Sequence, residues 1–151
     1  MDTDKFQVYA DVPGHQTPAG GTIPADVLVT PDRPDIVIYD KKKKTMHVFE
    51  LTVPYEHNLE KRHTDKLNKY AYMSTDIRKF KPVIEAFEVG ARGYISSENK
   101  SRIKQIHNFC KKETTKKQFI ENIAKLAIYG SYHVYLCRNQ TEWAAPALLS
   151  V

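Results

Sequence analysis

The sequence predicts an α/β domain with a small mixed central sheet flanked by helices, and three observations carry that expectation. Two runs rich in β-branched and aromatic residues, 36–39 and 46–53, flank a charged turn, which is the pattern of a hairpin. A third such run, 83–89, follows a segment whose apolar residues recur at helical spacing, so a helix separates it from the hairpin. Two further helical patterns fill the C-terminal third. With 151 residues, 41% of them hydrophobic and 27% charged, the chain has the length and composition of one globular domain.

Residues 1–32 concentrate proline and glycine, at Val12-Pro13-Gly14, Pro18-Ala19-Gly20-Gly21, Ile23-Pro24 and Thr30-Pro31. Short extended pieces at 6–12 and 27–29 sit between these turns, and the segment reads as an irregular arm packed on the main sheet. Gly20-Gly21 is not followed by Lys-Ser/Thr and a helix, so it is a turn rather than a phosphate loop. Residues 33–73 form the central stretch. Its first strand runs over 36–39, its turn over 40–44, and its second strand over 46–53, where Pro54 stops it because proline supplies no ladder donor.

Asn58 is placed to cap a helix reaching Met73. At 3.6 residues per turn, Leu59, His63, Lys66, Leu67, Tyr70 and Met73 share one face, while Arg62, Asp65 and Lys69 flank it. Residues 83–143 carry the next strand, over 83–89, the turn Gly90-Ala91-Arg92-Gly93-Tyr94, and two helices. Ser97 caps the first, from Glu98 to Lys112, with Ile103, Ile106, Phe109 and Cys110 as its stripe. Thr115 caps the second, on which Phe119, Ile120, Ile123, Leu126 and Ala127 repeat. Residues 132–137 read as its continuation, with an edge strand as the alternative. Tyr94, Tyr129, Tyr132 and Tyr135 are expected in or beside the core, and 144–151 reads as a tail.

A net charge of +5 favours a polyanionic partner. No apolar run is long enough to span a bilayer, and the start Met1-Asp2-Thr3-Asp4-Lys5 lacks the features of a secretory signal. Cys110 and Cys137 lack a CxxC partner and read as reduced. The six histidines show no zinc spacing; His57 and His63 read as surface or helix-packing residues, with a base or ligand as the alternative.

The chemistry lies in the central stretch. Asp35 opens the first strand of the hairpin and Glu50 lies towards the end of the strand pairing back to it, so two hard oxygen donors come together, as magnesium requires. Side chains alternate along a strand, placing Glu50 and Thr52 on one face and Phe49 and Leu51 on the other. Glu50 sits in an apolar strand, where a charge is costly unless paired or liganded. Lys66, Lys69 and Tyr70 line one edge of the following helix. A lysine there can orient a water and balance charge on a phosphate, Lys66 ahead of Lys69 because its neighbours on the wheel are apolar. Lys41, Lys42, Lys43 and Lys44 read as a solvated hairpin tip or a phosphate clamp, and Arg92 as a phosphate contact or a helix cap.

Arg33-Pro34-Asp35, a spacer and Glu50-Leu51-Thr52 resemble the PD-(D/E)XK nuclease superfamily. More narrowly, Glu50-Leu51-Thr52-Val53-Pro54 followed by Lys66-Leu67-Asn68-Lys69-Tyr70 is similar to the restriction-like endonuclease domain of site-specific non-LTR retrotransposons. The resemblance covers about residues 6–143, with its specific part within 33–70. It implies a restriction-endonuclease-like mixed sheet flanked by helices, Mg2+ or Mn2+ on Asp35 and Glu50, and nicking of target DNA to prime reverse transcription. It also implies phosphate contacts from Arg33, Arg92 and the lysine-rich tip, a reverse transcriptase or other domains of a longer polyprotein as partner, and a nuclear location. The superfamily places lysine two residues after the second acid, where this chain has Thr52; in the retrotransposon group it is shifted onto the helix, which fits Lys66 or Lys69. Asp26 or Glu56 is a candidate third acid. A catalytically silent DNA-binding module and a junction-resolvase-like nuclease are the alternatives.

Overall fold

Alternating β-branched and aromatic residues on both sides of a polar turn build the hairpin at the middle of the sheet. The computed structural model describes residues 5–109 and 114–139. Its strands are β1 (Phe6–Ala10), β2 (Ile36–Asp40), β3 (Thr45–Thr52) and β4 (Lys81–Glu88), and its helices are α1 (Leu59–Tyr70), α2 (Met73–Asp76), α3 (Ser97–His107) and α4 (Lys116–Cys137). The sheet order is β1-β2-β3-β4, with β1–β2 and β2–β3 antiparallel and β3–β4 parallel. The sheet is therefore mixed, and α1 and α2 occupy the long crossover that a parallel pair demands.

The chain divides into two compact units. One comprises Met1–Thr52 and Glu60–Glu88, and the other Val53–Leu59 and Val89–Val151. In the first, Val37, Tyr39, Met46 and Val48 project from one sheet face onto Tyr70, Met73 and Ile77, with Ile23 from the arm completing the cluster. Each large apolar side chain removed from water there contributes roughly 1.5–3 kcal/mol. The α1 face read from the wheel is the one that turns inward: His63, Lys66 and Leu67 are half-buried and Tyr70 is buried, while Arg62, Asp65 and Lys69 are exposed.

The hairpin tip is closed by its own side chain. Asp40 Oδ1 accepts hydrogen bonds from the backbone N–H groups of Lys42 (3.0 Å) and Lys43 (2.9 Å), and Lys44 completes the reversal with φ of 53°. A left-handed backbone is strained for a residue with a Cβ.

In the second unit, Gly90 to Tyr94 form a turn in which the Gly90 N–H donates to the Tyr94 carbonyl at 2.7 Å. Glu56 lies against it, accepting from the backbone N–H of Arg92 (3.0 Å) and from its Nε (3.1 Å). A Cβ on Gly90 would stand 2.7 Å from Glu56 Oε1, so a larger residue there would displace the Glu56 carboxylate. Ser96 and Thr115 start the two helices: Ser96 Oγ accepts from the Asn99 N–H, and Thr115 forms a reciprocal capping box with Gln118.

Several elements depart from the sequence reading. The arm contributes β1 as an edge strand, ending at Ala10 rather than residue 12, and residues 27–29 form no strand. Asn58 does not cap α1; it closes a 3-10 turn, Glu56–Asn58, that leads into the helix. The helix stops at Tyr70, and α2 follows a break. β4 begins at Lys81 and admits Pro82 because it is an edge strand of the described sheet. The α3 cap is Ser96, one residue before Ser97, and α3 ends at His107; Cys110, Lys112 and 144–151 lie outside the described residues. Residues 132–137 are helical, continuing α4 through Gly130. Tyr94, Tyr129, Tyr132 and Tyr135 are exposed rather than packed; on α4, Phe119, Ile120, Ile123 and Ala127 keep the expected inward stripe, Leu126 is exposed, and Ala124, Ser131, His133 and Cys137 extend the inward face. Among the described residues, no helix is long and apolar enough to cross a membrane.

Replacing Lys44 by glycine removes the left-handed strain while adding freedom to the unfolded chain, for an expected net gain of about 0.5–1 kcal/mol. Thermal unfolding of Lys44→Gly should show a raised midpoint; a lowered one would mean that the turn is not strained there.

Candidate active site

The open end of the hairpin is closed by two carboxylates. Ile36 faces Phe49 across β2 and β3, so the preceding residue, Asp35, meets Glu50. Backbone donors tie them together: the Asp35 N–H donates to Glu50 Oε2 at 3.1 Å, and the N–H of Leu51, the residue after Glu50, donates to Asp35 Oδ2 at 2.7 Å. Glu50 belongs to the core-facing row after Met46 and Val48, and its side chain is only 4% exposed.

Helix α1 supplies its partners. Lys66 Nζ donates to Glu50 Oε1, and the Tyr70 hydroxyl donates to Glu50 Oε2 at 3.2 Å. Lys69 stands one contact further out, with Nζ 3.1 Å from the Tyr70 hydroxyl and 3.4 Å from Asp32 Oδ1. Asp32 is held in turn by the Tyr72 hydroxyl at 2.9 Å, which lies 2.7 Å from Thr30 Oγ1. Asp35, Glu50, Lys66, Tyr70 and Lys69 are thus brought into one hydrogen-bonded cluster.

Burial sets the electrostatics. It pushes the Asp35 carboxyl above its ordinary range; the Leu51 N–H opposes this, the Glu50 charge reinforces it, and Lys66 offsets part. Burial, with the Glu50 charge beside it, also pushes the Tyr70 phenol up, so Tyr70 remains a protonated donor.

Other expected residues lie elsewhere. Lys41 to Lys44 sit at the far tip of the hairpin, five strand residues from Asp35 or about 17 Å, and do not join the acid pair. Arg33 is exposed on the segment leading into Asp35. Arg92, 82% exposed, engages Glu56 within the second unit, and Asp26 pairs with Lys79. Both candidate third acids are therefore committed to cations. Thr52 Oγ1 is buried and has no hydrogen-bond partner among the described residues.

Two functional-looking acids escaped the sequence reading. Asp32 follows a proline and carries no periodic signal. Glu88 was legible by the logic applied to Glu50, an acid inside an apolar strand; it is 2% exposed and lies 3.1 Å from His63 Nδ1.

No family model, curated protein or solved structure matches the chain. The chemistry must be read from the side chains. Asp35 and Glu50 offer adjacent hard oxygen donors, and a bound cation would offset the cost that burial puts on the Asp35 charge. Among the described residues, no three or more His, Cys, Asp or Glu side chains gather to hold an ion. The pair suits magnesium or manganese, which bind through one or two carboxylates while keeping waters and substrate phosphate oxygens.

Because the folded Asp35 carboxyl titrates above its unfolded value, its contribution to stability is full below the unfolded value and is lost as pH rises through the folded one. At pH 7 its charge is a cost. Asp35→Asn should therefore melt higher than the wild type near pH 7, the gap closing on acidification below the usual carboxylate range. A lower midpoint for Asp35→Asn near neutrality would contradict this.

Proposed function

We propose that this chain is a metal-dependent DNA endonuclease on the PD-(D/E)XK plan, acting as the restriction-like endonuclease domain of a non-LTR retrotransposon. The observation that carries the reading is Glu50, a buried carboxylate that accepts from the Asp35 N–H while receiving Lys66 and Tyr70 from α1. A mixed sheet with α1 and α2 packed on it is compatible with the restriction-endonuclease-like architecture. The net charge of +5 suits a DNA partner.

In this reading Asp35 and Glu50 hold Mg2+ or Mn2+. When bound, the metal supplies Lewis acidity towards a phosphate oxygen and lowers the pKa of a coordinated water. Lys66 orients the attacking water and balances negative charge developing on the phosphate, the role of the lysine that Thr52 replaces. Tyr70 fixes the Glu50 carboxylate as a neutral donor, and the Asp32–Lys69 pair supports Tyr70 from outside. Arg33, Arg92 and Lys41 to Lys44 grip the DNA backbone. The 3′ end exposed by nicking primes a reverse transcriptase carried elsewhere in a longer, nuclear polyprotein.

One observation favours a second reading, a silent DNA-binding module: the Lys66 ammonium is seated directly on Glu50, and Thr52 stands where the superfamily has its lysine.

A supercoiled-plasmid nicking assay separates the two. The wild type should yield relaxed circles with magnesium or manganese, Asp35→Ala and Glu50→Ala should be silent, and Lys66→Ala should lose roughly 10²–10³-fold in rate. Cleavage surviving both acid substitutions would remove the site. Salt-sensitive DNA binding without cleavage under either metal would establish the silent module.

A further inference from the structure

The core-facing row that ends in Glu50 does not end there chemically. Across β3 and β4, Ala86 pairs with Glu50 and Glu88 pairs with Thr52, so Glu88 and Thr52 extend the same sheet face by one residue pair. Glu88 is 2% exposed, and the buried Thr52 hydroxyl beside it has no partner among the described residues. A carboxylate this deep in an apolar strand requires a polar partner. His63 meets it, with Nδ1 3.1 Å from Glu88 Oε1 and a side chain 23% exposed.

His63 precedes Lys66 by three residues on the inward face of α1, placing their Cβ atoms about 5–6 Å apart. The helix therefore lays two adjacent side chains along two adjacent acids: Lys66 on Glu50, and His63 on Glu88. An ionised carboxylate accepts from Nδ1–H, and that bond selects the tautomer whose Nε2 lone pair points away from Glu88. With part of the imidazole open to solvent, Nε2 is a positioned proton acceptor one helical turn from Lys66, whose ammonium meets Glu50. A simple structural tie between α1 and β4 would not need an imidazole.

We infer that His63 is the proton acceptor of the proposed nuclease and that Glu88 is its positioning residue. This rests on the nuclease reading. As the water oxygen forms its bond to phosphorus, its O–H bond breaks and the proton passes to His63 Nε2. The bond from phosphorus to the 3′ oxygen breaks with its electron pair on oxygen, which takes a proton from solvent. The products are a 3′-hydroxyl and a 5′-phosphate, and the imidazolium returns its proton to bulk water.

The test compares wild type, Asp35→Ala, His63→Ala, His63→Gln and Glu88→Gln in plasmid nicking with Mn2+, alongside DNA affinity and the Mn2+-induced rise in melting temperature. His63→Ala should lose about 10²-fold in turnover, keep its DNA affinity and its Mn2+-induced rise, and regain activity on addition of imidazole. His63→Gln keeps a donor towards Glu88 but has no nitrogen that accepts a proton, so the proton role predicts the same loss and a structural tie predicts full activity. Glu88→Gln should lose about 10-fold or more. Nicking by His63→Gln at the wild-type rate, or a loss in His63→Ala that imidazole does not restore, overturns this inference alone. A wild type as silent as Asp35→Ala overturns the nuclease reading, and this inference with it.

Discussion

A carboxylate in the core-facing row of a strand has to be partnered, and the first unit is arranged around meeting that requirement at Glu50. Met46 and Val48, earlier in the same row, face an apolar cluster; at Glu50 the row turns polar, and the neighbouring elements supply polar groups to match. β2 supplies the Asp35 backbone N–H, and α1 supplies an ammonium and a phenol. An apolar side chain at position 50 would suit the core better than this network does. The network also imports a second acid, since Asp35 takes its bond from the Leu51 N–H next to Glu50 and ends half-buried beside a like charge. Burial beside a like charge raises the cost of the Asp35 carboxylate, and a cation in the proposed site would offset that cost.

The same helix serves both stability and site. Tyr70 is fully buried against Val37, Tyr39, Met46 and Val48 while its hydroxyl reaches Glu50, so the packing that fixes α1 also fixes the donor. His63, Lys66 and Tyr70, spaced by three and four residues, turn one helix face into a row of donors above the polar end of the sheet. In the second unit, Glu56 serves a local purpose with Arg92 and Gly90. Its carboxylate is fitted against a glycine turn, and its own backbone N–H and that of Arg92 hold it below the ordinary range.

Much of this was legible because strong local signals and tertiary demands coincided. The hairpin, its charged tip, the capping of α4 by Thr115 and the inward face of α1 follow from alternation, turn chemistry and helical spacing. The pairing of Asp35 with Glu50 follows from hairpin register, and the approach of Lys66 from its place among apolar neighbours. What the sequence hid is what register alone determines: that β4 runs parallel to β3 and sets Glu88 opposite Thr52. Asp32 was hidden because its partners, Lys69 and Tyr72, come from a helix and a turn about forty residues away. The tyrosines of α4 misled for a simpler reason, since large aromatics are usually packed, and in the second half of this helix Ala127, Ser131 and Cys137 turn inward instead.

The most direct test of the central claim is a calorimetric titration of the folded protein with Mn2+, repeated on Asp35→Asn and on Glu50→Gln. The account predicts a saturable manganese site in the wild type that disappears in both variants while their folds persist. Equal manganese binding by all three proteins would show that the paired acids are not the metal site, and the nuclease reading would lose its foundation.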